Sequence, residues 1–249
     1  VTAEPITVET AAFLAIGNEL LTGKVVEANL APLAKTLRAL GIELVAAEIL
    51  LDHVPTLASA IARLSKAHGI LVTSGGVGPT HDDVTMEAVA LAFGRKVVAE
   101  PSLLALVRET FGASTNEAHL RFADVPEGAE LKRAPDAAWP TPVVENVWIL
   151  PGVPEVFRMK LATLRQWVKG PKQFVSRALV LTHDEVDLKQ TLDLVVAAHP
   201  SVAIGSYPAL FNPRYRTRIT FDATSEQLAL AALEDLRGRL EPSGVVDVE

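Results

Sequence analysis

The 249-residue sequence contains no cysteine. Disulfides, thiolate zinc sites, iron–sulfur clusters and a cysteine nucleophile are therefore excluded, a usage that suits a reducing cytoplasm. Positive charge is also short. The 23 Lys and Arg against 30 Asp and Glu leave a net charge of −7, which opposes the phosphate neutralisation that non-specific nucleic-acid binding requires. No apolar run approaches membrane-spanning length, so neither a nucleic acid nor a membrane is expected as partner and the cytoplasm is the expected location. The first residues lack a basic segment, and the apolar stretch 11–16 is stopped by Gly17-Asn18-Glu19, so no signal peptide is read there. Val1 in place of Met points to a processed or trimmed start. Several phosphate and hydrolase motifs are missing as well. From Gly76 the dinucleotide spacing needs a glycine at 81 and finds His81, and Gly23-Lys24 is followed by Val25 rather than the Ser or Thr of a P-loop. Neither G-x-S-x-G nor H-E-x-x-H occurs.

What remains is an ordinary globular composition, 49% hydrophobic and 21% charged, with enough chain to bury a sizeable core. Over residues 10–170 short apolar runs alternate with amphipathic stretches, the pattern of helices covering a mostly parallel sheet. Strands are predicted over 12–16, 42–50, 70–73, around Glu130 and over 143–150. Helices are predicted from about Glu27 to Gly41, after Pro55, through Met86, Val89, Ala90 and Phe93, near 102–111 and 116–122, and after Pro154. Gly170-Pro171 marks a boundary, giving domains 1–170 and 171–249. The second reads strand 176–182, helix 185–198, strands 202–206 and 214–221, and helix 225–240, a small α+β domain. Arg214, Arg216 and Arg218 alternate with apolar residues on its third strand, a solvated edge face in preference to an anion site.

Chemistry concentrates in Thr73-Ser74-Gly75-Gly76-Val77-Gly78-Pro79-Thr80-His81-Asp82-Asp83-Val84-Thr85. A glycine-rich turn between strand and helix lets backbone amides approach phosphate oxygens. Acids beside such a site repel the anion unless a divalent cation intervenes, and oxygen ligands favour Mg2+ or Mn2+. Capping is the competing explanation, because Thr80-x-x-Asp83 fits a capping box. Glu19 after the first strand and Asp52 after the second could face the same sheet end, where ligands of open α/β sheets gather. Pro151-Gly152-Val153-Pro154 reads as a rigid turn that could wall the ligand.

These segments together, Ile16-Gly17-Asn18-Glu19-Leu20-Leu21-x-Gly23, Asn29, the run from Gly75 to Thr85, and Leu150-Pro151-Gly152-Val153-Pro154-Glu155, resemble the CinA-type competence/damage-inducible proteins. Those belong to the wider MoCF (molybdopterin-binding, MogA/MoaB-like) family. The resemblance continues into Glu185-Val186-Asp187-Leu188 and Ile204-Gly205-Ser206-Tyr207-Pro208. It implies a three-layer α/β domain with a mostly parallel sheet, plus the small C-terminal α+β domain, binding a phosphorylated pterin or a nucleotide. In related molybdopterin adenylyltransferases, acids at positions resembling Asp52 and Asp83 serve the metal-dependent step. CinA-type domains, and the similar domain of eukaryotic FAD synthases, are associated with cleaving the pyrophosphate of ADP-ribose-like nucleotides or FAD. Full-length CinA also carries an amidase domain, and the chain is read as the form without it. A homo-oligomer is implied by the same resemblance.

Two differences stand out. The family usually has Asp where this chain has Asn18, and its Asn-Pro-x-Gly-x-Ala-Pro-Gly stretch is replaced here by residues 133–142. The expected activity is a metal-dependent nucleotide pyrophosphatase; the alternatives are molybdopterin adenylyl transfer and a catalytically silent nucleotide or pterin binder. The expected catalytic residues are Asp52 and Asp83. Ser74, Gly75, Gly76, Gly78, Pro79, Thr80, Pro151 and Gly152 are expected to bind substrate, and Asp82, Asp83 and Glu19 the Mg2+ or Mn2+.

Overall fold

The computed structural model describes residues 4–249, so Val1 lies outside the described residues. The chain divides into two compact units, Val1–Pro171 and Lys172–Glu249. Among the described residues no helix is long and apolar enough to cross a membrane.

The first unit is built on a six-stranded sheet of β1 (Thr10–Ile16), β2 (Glu43–Leu50), β3 (Ile70–Ser74), β4 (Glu130–Lys132), β5 (Thr141–Val144) and β6 (Val147–Leu150). Its order is β2-β1-β3-β6-β5-β4, parallel across the first four strands and antiparallel beyond. The central strand β1 is buried on both faces, and its side chains alternate between two cores. Ala11, Phe13 and Ala15 meet Leu33 and Leu37 of α1 (Leu30–Ala39) and Phe157, Leu161 and Leu164 of α5 (Pro154–Trp167). Ala12, Leu14 and Ile16 meet Leu57, Ile61 and Leu64 of α2 (Val54–Ala67) and Ala88 and Val89 of α3 (Thr85–Ala92). Period-2 alternation in one strand thus recruits helices to both sides, which makes three layers. A satellite core joins α4 (Pro101–Phe111) to the segment 122–125 through Leu103, Val107, Ala123 and Val125.

The strand predicted over 143–150 is two strands in the structure. Residues 143–150 are parts of a hairpin, β5 and β6, joined at Glu145-Asn146, with Glu145 at φ 53°. No glycine signals this turn; Asn146 secures it instead by donating from Nδ2 to the carbonyls of Ser65 and His68, each at 2.9 Å.

The second unit pairs β7 (Val175–Leu181), β8 (Ala203–Pro208), β9 (Thr217–Ala223) and β10 (Val245–Val248) in the antiparallel order β8-β9-β7-β10. Helices α6 (Glu185–Ala198) and α7 (Glu226–Gly238) pack Leu188, Val195, Ala229, Leu233 and Leu236 on Leu179, Ile219 and Phe221. The arginine-bearing strand is therefore an interior strand, not an edge. Its regular part begins at Thr217, so Arg214 and Arg216 precede it, while Arg218 is solvent-facing and pairs with Glu249 at 2.7 Å.

Candidate functional site

The glycine-rich segment leaves the end of β3 as a tight bend. Gly75 sits at φ 106°, where a Cβ would collide with the Ile16 carbonyl oxygen, and Gly76 at φ 63°, where one would lie 2.5 Å from Thr85 Oγ1. Only glycine meets both demands without strain. Thr85 then locks the bend to α3. Its hydroxyl donates to the Gly75 carbonyl at 2.7 Å and its amide to the Gly76 carbonyl at 3.0 Å. The Gly75 N–H donates to the Leu150 carbonyl at 3.2 Å, so Gly75 contributes shape rather than the donor expected of it. The N–H groups of Gly76, Val77 and Gly78 have no acceptor among the described residues.

A second turn backs the bend. Gly152 lies so close to it that an added Cβ would stand 3.1 Å from Gly75 Cα. Asn29 ties the two together, its Nδ2 donating to Ser74 Oγ at 2.9 Å and to the Gly152 carbonyl at 2.8 Å. Asn29 occupies the N-cap of α1 yet makes no capping bond with its side chain. The Glu27 carboxylate takes over that task, accepting the amides of Asn29 and Leu30. Asn29 is 4% exposed and its Oδ1 has no partner among the described residues. A buried acceptor left unpaired costs about 1–3 kcal/mol, so the clamp is held against a local cost.

The acids separate. Asp83 lies in the cavity wall, with Oδ2 accepting the Thr80 amide at 2.8 Å and the Thr80 hydroxyl at 2.5 Å. The carboxylate-to-amide bond is one half of the expected capping box; the other half is missing, since the Asp83 N–H donates to the Thr80 carbonyl at 3.3 Å, and the pairing closes a turn ahead of α3, whose N-cap is Val84. Asp82 is exposed and outside the cavity wall; the Thr80 hydroxyl bonded to it lowers its pKa. Asp52 is outside the wall too. Its Oδ2 accepts the Asn18 amide at 2.8 Å, which fixes the turn carrying Glu19. Partial burial raises the Asp52 pKa against the lowering effect of that bond, and the charges of Glu19 and Asp82 add to the rise. Among the described residues no three His, Asp or Glu side chains gather closely enough to hold a metal ion by themselves.

Within the first unit, the bend opens on a cavity of about 710 Å3, in the size range of small-molecule sites. Of the residues expected at the site, Glu19, Ser74, Gly75, Gly76, Gly78, Pro79, Asp83, Pro151 and Gly152 line it, whereas Asp52, Thr80 and Asp82 do not. Sequence reasoning missed the rest of the wall. Met86, Leu103, Phe122, Trp139 and Pro140 form an apolar side, and Lys160 of α5 also reaches it. The Lys160 ammonium donates to the carbonyls of Trp139 at 2.5 Å and Pro140 at 2.8 Å. Burial, with the Arg133 charge adding to it, pushes its pKa down to about 8. Arg121 was likewise not singled out; it donates to the carbonyls of Pro79 and Thr80, each at 3.3 Å, and steadies the outer part of the bend. No local motif announces Lys160 or Arg121, because each is brought to the site by packing between distant segments.

Residues 12–169 match the family described as "Probable molybdopterin binding domain", and residues 173–249 match "FAD synthase, middle domain". An Aeropyrum pernix protein is 32% identical over 93% of this chain and 93% of its own length. A CinA-like protein of Prochlorococcus marinus is 31% identical over 86% of this chain, which spans 53% of that relative. Among solved structures, CinA of unknown function from Thermoplasma acidophilum is 27% identical, with a TM-score of 0.58 over 64% of this chain and 96% of that one. With both family matches consecutive along the sequence and a CinA structure sharing its fold, the chain belongs to the MoCF family as a CinA-type protein carrying an FAD synthase middle-type domain.

Proposed function

We propose that this protein is a metal-dependent nucleotide pyrophosphatase acting on an ADP-ribose-like or FAD-like dinucleotide. One observation carries the reading: a single cavity presents the unengaged amides of Gly76, Val77 and Gly78 beside the carboxylates of Glu19 and Asp83. Amides arranged in a bend attract phosphate oxygens. Carboxylates next to them would repel the same group, so their presence favours a ligand that arrives with a cation. The two family descriptions, one for molybdopterin binding and one for FAD synthase, support a phosphorylated heterocyclic ligand.

The donor set suits Mg2+ or Mn2+ as an ion shared with substrate. Such ions are held by one or two carboxylates and complete their shell with water and phosphate oxygens. Glu19 and Asp83 would supply the carboxylates, since only Oδ2 of Asp83 is engaged by Thr80. Bound there, the ion would offset charge on the diphosphate and acidify a water molecule. Gly76, Val77 and Gly78 would hold the diphosphate in register, a positional contribution that lowers the barrier by pre-orienting the reacting groups. Asp52 serves in this scheme as a positioning residue for Glu19, through the Asn18 amide, rather than as the residue that orients water.

The test is incubation with Mg2+ or Mn2+ and either ADP-ribose, FAD, or ATP plus molybdopterin, followed by chromatography of the products. AMP release from a dinucleotide is expected, and Asp83→Ala is expected to reduce it by about a hundredfold or more while the protein remains folded. ATP consumption only when pterin is present would replace the reading with adenylyl transfer. Saturable binding without product under either ion would replace it with a silent binder, the reading that the neutral Asn18 favours.

A further inference from the structure

The apolar side of the cavity is more organised than a nonspecific greasy wall. Phe122 stacks on Phe111 with centroids 6.3 Å apart and an interplanar angle of 11°, and Phe111 stacks in turn on His119 at 4.1 Å. Trp139 meets Phe122 edge to face at 6.3 Å and 62°. Both Phe122 and Trp139 line the cavity and are only partly buried. The segment bearing Trp139 is tied down from several directions. Arg133 Nε donates to the Ala137 carbonyl at 2.6 Å, Trp167 Nε1 donates to the Arg133 carbonyl at 3.5 Å, and Lys160 grips the carbonyls of Trp139 and Pro140. An ammonium has three donors. Two are spent on these carbonyls, and the third has no acceptor among the described residues although Lys160 lines the cavity.

We infer that Phe122, Trp139 and Lys160 form a ring-accepting subsite that selects a planar heteroaromatic ring bearing carbonyl oxygens over an adenine ring. This inference rests on the nucleotide reading above and names which part of such a ligand the chain distinguishes. The aromatic faces accept any planar ring, because stacking is tolerant of ring identity. Discrimination comes from Lys160. Its free N–H calls for an acceptor, which a carbonyl oxygen projecting from the edge of an isoalloxazine or pterin provides, whereas adenine's one exocyclic group is an amino donor and its acceptors are nitrogens recessed in the ring. A lysine partly withdrawn from water and left without its third acceptor is also the kind of group whose pairing by a ligand contributes most.

The experiment is calorimetric titration of the whole chain, with Mg2+ present, by riboflavin 5′-phosphate, AMP and ribose 5-phosphate. All three carry a phosphate ester, and they differ in the ring. Riboflavin 5′-phosphate is expected to bind about tenfold or more tighter than ribose 5-phosphate, and tighter than AMP. Trp139→Leu is expected to weaken the flavin nucleotide about tenfold while leaving ribose 5-phosphate within about twofold, and Trp139→Phe to restore most of the loss. Lys160→Met, which keeps the apolar stem, is expected to erase the preference for the flavin nucleotide over AMP. Should Trp139→Leu fail to fold, the Trp139→Phe and Lys160→Met results decide. Equal affinity for all three compounds, or a flavin preference that survives Lys160→Met, overturns the subsite while leaving the diphosphate reading in place. Absence of binding by every compound overturns both.

Discussion

The glycine bend and the aromatic wall face one cavity, but opposite means build them. The bend is local: consecutive residues 74–79 supply it, backbone amides carry its chemistry, and glycine at 75 and 76 is demanded by close approach to Ile16 and Thr85. The aromatic wall is assembled from Met86, Leu103, Phe122, Trp139 and Lys160, which lie on separate segments and meet only after folding. Substitutions at the bend should damage fold and binding together, whereas substitutions at Trp139 and Lys160 should alter ligand preference more than stability.

The largest effect is expected from Gly75→Ala. A side chain at φ 106° that also meets the Ile16 carbonyl should cost at least about 3 kcal/mol, read as a lowered denaturation midpoint. If the midpoint is unchanged, the bend is not the rigid element described. Next comes Asn29→Ala, which strips a buried donor from the Gly152 carbonyl and Ser74; a loss of about 2 kcal/mol in urea unfolding is expected. The gain from removing the unpaired Oδ1 opposes that loss, so a stabilised variant would show the clamp to be dispensable.

A smaller effect sharpens the contrast from the other side. The pKa of Lys160 is about 8 in the folded protein, against an ordinary 10.5, with Arg133 the charged neighbour that adds to burial. Between those values the unfolded chain holds more protons than the folded one, so stability should rise with pH across this window. Lys160→Met should lack that rise. Unfolding curves of the two proteins at about pH 7.5, 9 and 10.5, which roughly bracket the window, check the sign; parallel pH profiles would remove Lys160 from the buried side of the cavity. The smallest effect belongs to Arg218→Ala in the second unit, where an exposed pair with Glu249 should be worth about 0.5 kcal/mol or less. A larger loss there would mean that β9 depends on its solvent face as well as its core.

Legibility in the sequence follows the same division. The strands β1 and β3 were visible because an apolar run between turn residues has few other uses, and the helices because their apolar residues recur at helical spacing. The hairpin of β5 and β6 was not, since Glu145 adopts a positive φ without the glycine that ordinarily announces such a turn. The short strand β10 was missed for lack of any length over which a pattern could repeat. At the site, Gly76, Gly78 and Asp83 could be chosen from spacing. The difference between Asp83 in the cavity wall and Asp82 outside it could not, because it depends on how one turn is closed by Thr80. Asn29 was visible as part of a motif, but its role as a clamp required seeing Ser74 and Gly152 arrive beside it. Trp139 and Lys160 lacked any local cue.

The central claim is that the free amides of the bend hold a diphosphate. The most direct measurement is the amide spectrum of protein labelled with 15N-glycine, whose 15 glycines give a tractable set of resonances, titrated with inorganic pyrophosphate and Mg2+. The account expects Gly76 and Gly78 to shift progressively and saturably, with the glycines of the second unit, Gly205, Gly238 and Gly244, unmoved. Saturating shifts confined to other glycines, or none at Gly76 and Gly78 while pyrophosphate binds, would contradict it.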